Sequence, residues 1–398
     1  MLAGLIIATA EIDGENGLCA ELPVAGQALI EHQARLVASA GADHIVVLVE
    51  RLPAGLLAAI DRLKRDGLTV DIARSVEDAA DRIHPDERLI VVADSLVADR
   101  ATVDLMAGQS GVSVLVVPDT PENARWERID ANARWGGLAM LDGALLRRTA
   151  AMLGDWDLQS TLLRRAVQSG AVYVDAPAGK TPALLAIVED RETAAAVDDA
   201  LASRAAHVAT GLPDRFIFTF IARLAAPHAM RAMVAPTWFR GGAVGLTLAG
   251  AACFAAGWLW AGLVALLLAG PVDAVGRHIA ALSWRAPAEG QRWDRMRLAG
   301  SAVAVLLLGR LLADAGGGWG CWALAIVLIG LMAAIADHRR LFSGPPERPE
   351  WLAEPDGLIW LFLPFAMAGA TTVGMGAMAA YAFASLLKTF RLAAGMRA

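Results

Sequence analysis

The chain has few cysteines and no excess of positive charge, and these shortages remove whole classes of function. Its 398 residues include three cysteines, Cys19, Cys253 and Cys321, too scattered for any C-x-x-C pair. Such spacing gives no disulfide framework and no thiolate zinc site. The formal net charge is −6, so no basic footprint exists and no nucleic-acid partner is expected. The opening residues, MLAGLIIATAEIDGENG, carry no basic stretch and soon meet acidic residues. They read as a first strand and not as a secretory signal. Long apolar runs are missing before residue 236, where charged residues fall every few positions.

What the chain does have is apolar mass, concentrated after residue 236. It is 56% hydrophobic with a mean hydropathy of +0.48, too apolar for one soluble domain of this length. Runs such as Gly242–Gly257 and Trp258–Val272 are almost free of charge. Crossing about 30 Å of hydrocarbon takes roughly 20 apolar residues per helix. Six spans are expected, at 239–256, 258–279, 297–314, 319–336, 357–372 and 374–392. The expected architecture is an α/β N-terminal domain with a mostly parallel sheet (1–208), an interfacial helix and linker (209–235), and an all-α six-helix transmembrane domain (236–398).

Basic residues set the expected orientation. Arg285, Arg292, Arg295 and Arg297 fall between spans two and three, Arg339, Arg340 and Arg348 between four and five, and Lys388, Arg391 and Arg397 at the C-terminus. The opposite connections (Ala255–Trp258, Ala315–Gly320 and Gly369–Gly374) have no Arg or Lys. Both termini are therefore expected in the cytoplasm of a multi-pass protein of the cell's inner membrane. Ahead of the first span, PDRFIFTFIARLAAPHAMRAMV repeats apolar residues at helical spacing, with Arg215, Arg223 and Arg231 between them. It reads as a helix lying on the membrane surface, or as an ordinary packing helix.

Charges at the membrane border are costly and mark candidate sites. Asp273 is followed by Arg277 and His278, while Gly290 and Asp294 precede the third span, which holds Arg310 and Asp314. Two facing carboxylates, Asp273 and Asp294, could hold Mg²⁺ or Mn²⁺, which would neutralise a diphosphate. Alternatively they pair with Arg277 and Arg292 as structural ion pairs.

This region, GPVDAVGRH and then GQRWDRMRL, resembles the motif of the CDP-alcohol phosphotransferase family, D-x-x-D-G-x-x-A-R followed by G-x-x-x-D-x-x-x-D. Asp273 takes the place of the second aspartate, and Gly290 and Asp294 those of the later glycine and third aspartate. Gly270 stands where the first aspartate belongs, Ala274 where the glycine belongs, and Leu298 where the fourth aspartate, the family's general base, belongs. Ala235–Trp238 is similar to the segment that opens the family's first span. The resemblance implies a CDP-alcohol or CDP ligand, a lipid substrate, Mg²⁺ or Mn²⁺ on Asp273 and Asp294, and phosphate contacts from Arg277, Arg285, Gly290 and Arg292. It also implies a homodimer. His278 is the candidate substitute base. Losing a positioned base costs something like 10²–10⁴-fold in rate. Restoring aspartates at 270 and 298 is expected to raise metal affinity.

In the first 208 residues strand-like and helix-like segments alternate. Strands are expected at 2–8, 42–49, 69–73, 88–93 and 112–117, and helices at 28–39, 53–66 and 75–83. This rhythm predicts a parallel sheet covered on both faces, with ligands at the C-terminal strand ends. Leu22-Pro23-Val24-Ala25-Gly26, Leu29-Ile30-Glu31-His32 and Ala40-Gly41-Ala42-Asp43 resemble the sugar-nucleotidyltransferase family. Asp94 takes the place of that family's metal-binding aspartate, or caps a strand end. The phosphate loop, G-x-G-x-R in the family, reads TAEIDGENG here, and Glu11, Asp13 and Glu15 would repel a triphosphate.

The order of the two halves is similar to fusions of a cytidylyltransferase with a CDP-alcohol phosphotransferase, as in synthesis of inositol-phosphate lipid precursors. Two functions follow. One is transfer of a phospho-alcohol from a CDP-activated donor to an alcohol acceptor in phospholipid or polar-lipid synthesis. The other is a non-catalytic relative that serves as scaffold or regulator of an active paralogue.

Overall fold

A computed structural model describes residues 1–12, 17–154, 156–178, 183–204, 213–232, 234–282, 287–341 and 353–395. The chain divides into two compact units, one largely Met1–Leu201 and the other formed by Ala202–His228, Val234–Ala281 and Ala286–Ala398.

The first unit is α/β. It opens with β1 (Leu2–Ile7), LAGLII, in which all six side chains are buried. A strand apolar on both faces belongs inside a sheet covered on both sides. A short hairpin, β2 (Pro23–Val24) and β3 (Gln27–Ala28), leads into α1 (Leu29–Ser39). Its turn residues, Ala25 and Gly26, both have positive φ, +53° and +74°, as a tight two-residue hairpin requires. Then come β4 (His44–Leu48), α2 (Ala54–Arg65), β5 (Val70–Ala73), α3 (Val76–Asp81) and β6 (Arg88–Val92). After β7 (Leu96–Ala98) and α4 (Arg100–Ala107) follow β8 (Ser113–Pro118), β9 (Ala133–Asp142), α5 (Gly143–Ala150) and α6 (Leu158–Gln168). β10 (Val172–Asp175), β11 (Leu185–Ile187) and α7 (Arg191–Arg204) complete the series.

Seven strands form one sheet in the order β10-β8-β9-β6-β1-β4-β5. All pairings are parallel except those of β9, which runs antiparallel to both β6 and β8. The mostly parallel α/β sheet read from the alternation is therefore present. The register Ile6↔Val92 sets the ends of β1 and β6 side by side. That juxtaposition brings the chain after Ile7 to the chain after Val92.

The second unit is helical. A wide helical turn, Asp214–Phe218, runs into α8 (Thr219–Arg231). Phe216, Phe220 and Leu224 make an exposed stripe, while Phe218, Ala222 and Ala226 are buried on the other side. Then follow α9 (Pro236–Ala255), α10 (Leu259–Leu282), α11 (Pro287–Leu312), α12 (Trp319–Leu341), α13 (Pro355–Met367) and α14 (Thr371–Gly395). Phe254, Leu263, Leu308, Leu328, Phe362 and Met375 lie in their shared apolar core.

Among the described residues, four helices are long and apolar enough to cross a membrane: Leu259–Leu282, Gly290–Gly317, Trp319–Asp337 and Thr371–Arg391. The span expected at 357–372 is shorter than foreseen. α13 ends at Met367, and Gly369 at φ +72° turns the chain into α14. Thirteen residues reach only about 20 Å, less than the roughly 30 Å of a bilayer core. The span expected at 239–256 is a helix, α9, but is not among the four. Gly257, at φ +87°, makes the expected tight turn into α10.

Candidate functional site

The charged residues of the helical unit converge on one buried carboxylate. Asp273 lies on α10, 3% exposed. Arg277 is one turn further on the same face and its Nε lies 3.2 Å from Asp273 Oδ2, the i,i+4 contact that helical geometry provides. Two more guanidiniums come from other helices. Arg240 of α9 places Nε 2.8 Å from Asp273 Oδ1, and Arg297 of α11 places Nη1 2.8 Å from Oδ2.

Each arginine also reaches a second, outer acid. Arg240 donates to Asp294 on α11. Arg277 lies 3.5 Å from Asp214, which opens the turn before α8. Arg297 donates to Asp356 in the first turn of α13. Asp273 is thus a hub, three guanidiniums are spokes, and three carboxylates form the rim. The network joins five segments of chain. Burial explains the stoichiometry, because an isolated charge in an apolar interior is prohibitively costly and only multiple close partners offset it.

The expected site residues are only partly gathered here. Asp273, Arg277 and Asp294 belong to the network, but Asp294 meets Asp273 only through Arg240, and its side chain is 61% exposed. Arg292, expected as a partner or phosphate ligand, is exposed on α11. Gly290 has open space around the position of a Cβ. Arg285 lies outside the described residues. His278 is buried on α10, but five residues after Asp273 it projects from a different helix face than the Asp273–Arg277 pair.

Mg²⁺ and Mn²⁺ do not fit these residues as they are arranged. A hard divalent cation needs several oxygen ligands free of competing cations. Both oxygens of Asp273 already face guanidinium nitrogens. Among the described residues no three His, Cys, Asp or Glu side chains converge as a metal-binding set. Aspartates at 270 and 298 would not simply complete such a set. A Cβ on Gly270 would lie 2.6 Å from Phe218 Cζ and 3.2 Å from Asp356 Cγ, so the space is filled. Leu298 packs against the apolar core of the bundle. A small cavity of about 20 Å³ adjoins the network, bordered by Arg297, Asp356, Thr247, Ser301 and apolar side chains. That is room for a single water, not for a nucleotide.

In the α/β unit, Asp94 follows β6 at the C-terminal edge of the sheet. Its Oδ2 accepts hydrogen bonds from the Thr9 and Ala10 backbone N–H groups, both at 2.6 Å, and from Thr9 Oγ1 at 3.1 Å. Its Oδ1 accepts from Ser95 Oγ at 3.2 Å. Burial raises the Asp94 pKa against the opposing pull of these hydrogen bonds. The carboxylate therefore ties the chain after β1 to the chain after β6, as a strand-end cap does. Beyond Ala10, Glu11 forms an antiparallel bridge with Leu18, and its side chain pairs with Arg51 at 2.9 Å. Asp13 and Glu15 lie outside the described residues.

No family model matches the chain, and no curated protein matches it. Among solved structures it is similar to a Bacillus anthracis protein described as a glucose-1-phosphate thymidylyltransferase, crystallised in complex with sucrose. The identity is 14% and the TM-score 0.40, over 50% of this chain and 96% of that chain.

The segment that resembles nucleotidyltransferases has a structural explanation of its own. Glu31 is buried on α1 and takes Arg35 at 3.2 Å and Arg62 of α2 at 2.6 Å, while its Oε2 caps the Ala28 N–H at 3.1 Å. His32, beside it, is fully buried. Burial, and then the charge of Arg35, lower its pKa to about 4.

Asp356, Asp214 and Arg240 were not marked as site residues by sequence reasoning, and Arg297 was read only for its charge. The usable signal was a carboxylate or arginine within a turn of an apolar segment on each of several helices. Spacing along the chain could not say which of them meet.

Proposed function

We propose that this chain is a membrane protein whose two units keep frames similar to a nucleotidyltransferase domain and a CDP-alcohol phosphotransferase bundle without their chemistry. On this reading it acts as scaffold or regulator of an active paralogue. The observation that carries the proposal is the saturation of Asp273 by Arg240, Arg277 and Arg297. The carboxylate best placed to hold a metal on a diphosphate is neutralised by the protein itself. The engagement of Asp94 by Thr9 and Ala10 points the same way in the α/β unit. The orientation with both termini in the cytoplasm of the inner membrane rests on the Arg and Lys distribution. Homodimerisation belongs to this proposal through the family resemblance.

Transfer of a phospho-alcohol from a CDP-activated donor is the competing reading, favoured by the motif positions Asp273, Gly290 and Asp294. Calorimetry separates the two. The detergent-solubilised full chain is titrated with CDP, with and without Mn²⁺, beside an Asp273→Asn/Asp294→Asn control. The scaffold reading expects no metal-dependent CDP binding. Binding that needs Mn²⁺ and disappears in the control would replace it with the transferase reading.

A further inference from the structure

We infer that exposed tryptophans anchor the helical unit in the two headgroup layers of a phospholipid bilayer: Trp238 in one layer, and Trp258, Trp260, Trp319 and Trp322 in the other. This rests on the membrane reading above and is independent of the choice between scaffold and transferase.

The register of the helices gathers the four tryptophans at one end. Arg240 of α9 meets Asp273 of α10, and a Cβ on Gly250 of α9 would lie 3.1 Å from the Gly262 carbonyl of α10. α9 and α10 therefore run antiparallel, and Trp258 and Trp260 stand at the closed end of their hairpin. A Cβ on Gly241 of α9 would lie 3.5 Å from the Trp293 ring of α11, and one on Gly300 of α11 would lie 3.3 Å from Thr247 of α9. α11 thus runs beside α9 in the same direction, and its last turn reaches the hairpin end. A Cβ on Gly309 of α11 would lie 2.7 Å from Ala325 Cβ and 3.0 Å from the Cys321 carbonyl. That contact sets the start of α12, with Trp319 and Trp322, at the same end. Trp258, Trp260, Trp319 and Trp322 are 66%, 53%, 82% and 37% exposed, and Trp238, at the start of α9, is 77% exposed.

The separation of the two levels matches a bilayer. Between Trp238 and Ala255, α9 rises about 26 Å. Helical side chains lean toward the N-terminus of their helix. Trp238 opens α9, and Trp260, Trp319 and Trp322 open α10 and α12, so these rings lean outward at both ends. The two layers of rings then stand about 30 Å apart, the thickness of the hydrocarbon core. Between them the exposed side chains include Leu248, Val264, Val303 and Ile326. Charge returns at the far level, where Arg310 and Asp314 pair at 3.6 Å near the end of α11. Tryptophan suits such a boundary, because its ring is apolar and its one N–H finds an acceptor among the headgroups. The belt also fixes the depth of the charged hub. Asp273 lies about 21 Å along α10 from Leu259, inside the slab and nearer its Trp238 face.

The test reads the depth of each ring. The full chain, grown with fluorotryptophan, is placed in phosphatidylcholine nanodiscs and followed by fluorine NMR. Trp258→Phe and its counterparts at 238, 260, 319 and 322 each remove one resonance and so assign it. Trp258→Tyr and its counterparts serve where a phenylalanine variant does not fold. Lipid spin-labelled just below the headgroup should broaden these five resonances at least twofold more than lipid labelled at the chain end. Trp135 of β9, 3% exposed, should respond to neither. Stronger broadening from the chain-end label overturns the belt and leaves the membrane reading standing. The belt also falls if Trp238 responds while the other four answer to neither label, since a second copy would then cover that end. Silence of all five toward both labels removes the membrane reading with it.

Discussion

Replacing Asp273 by asparagine removes one negative charge and almost no volume, so it isolates the electrostatic role of the hub. Three guanidiniums would then face an amide, and the side chain is only 4% exposed in the native protein. Arg240 and Arg297 are themselves 6% and 12% exposed at their side chains, so water cannot take over. Breaking a buried ion pair by removing one partner costs about 3–5 kcal/mol, because it leaves uncompensated buried charge. The rim acids remain and soften the loss, which places the expectation near 3 kcal/mol, the lower end of that range. The surface pair Arg100–Asp104 of α4, outside the membrane helices, is the internal standard, at 3.1 Å with side chains 46% and 45% exposed. Asp104→Asn should cost about 0–1 kcal/mol, as solvent-exposed pairs do. Reversible unfolding in mixed micelles, followed by tryptophan fluorescence across an SDS titration, measures both. Added salt should shift the Asp104 result and leave the Asp273 result unchanged, since buried pairs are little screened. Equal effects from the two variants would refute the idea that the hub holds the helices together.

Two further outcomes follow from packing and from titration. Gly270→Ala should destabilise by about 1–3 kcal/mol, the usual cost of overpacking, because its Cβ would lie 2.6 Å from Phe218 Cζ. Phe218→Leu should restore part of that loss in the same micelle assay, and a neutral Gly270→Ala would show that the contact yields. In the α/β unit, unfolded His32 takes a proton below about 6.5, whereas folded His32 does so only below about 4. The unfolded state therefore binds more protons within that window, and stability falls as pH drops through it. The full displacement is worth about 3 kcal/mol. Hydrogen exchange of the β1 and β6 amides, corrected for intrinsic rates, should show protection declining from pH 6.5 to 4. His32→Leu should flatten that decline, and an unchanged slope would assign the pH sensitivity to other groups.

Much of the α/β unit was legible in the chain. ADHIVVLV and RLIVVA contain strands that lie within a residue or two of their expected ends, β4 at His44–Leu48 and β6 at Arg88–Val92. The reason is local, since a run of buried β-branched residues between polar turns has few alternatives to a central strand. β9 was not read as antiparallel, because direction is set by which edges remain open once the other strands have paired. In the helical unit, hydropathy marked the apolar blocks but misjudged the fifth, where Pro364 and Gly369 lie within the expected 357–372 run and the helix stops at Met367. The alternative of a structural ion pair foresaw Asp273 with Arg277, because i,i+4 partners on one helix are visible in a sequence. Asp294 was matched with Arg292 by proximity along the chain, while its actual partner, Arg240, is 54 residues away.

The sequence by itself determined that a charge-dotted α/β segment precedes a series of apolar helices, because the apolar periods that select strand or helix are written in neighbouring residues. It also determined that Asp273 and Arg277 share a helix face. Only the tertiary structure decided that Asp273 would be surrounded by guanidiniums and not by oxygen ligands. That outcome depends on how α9, α10, α11 and α13 are rotated and packed, and a long side chain such as arginine reaches whichever carboxylate that packing leaves buried and unpaired. The same carboxylates with Arg297 turned elsewhere would pose a different chemical problem, and no spacing along the chain distinguishes the two.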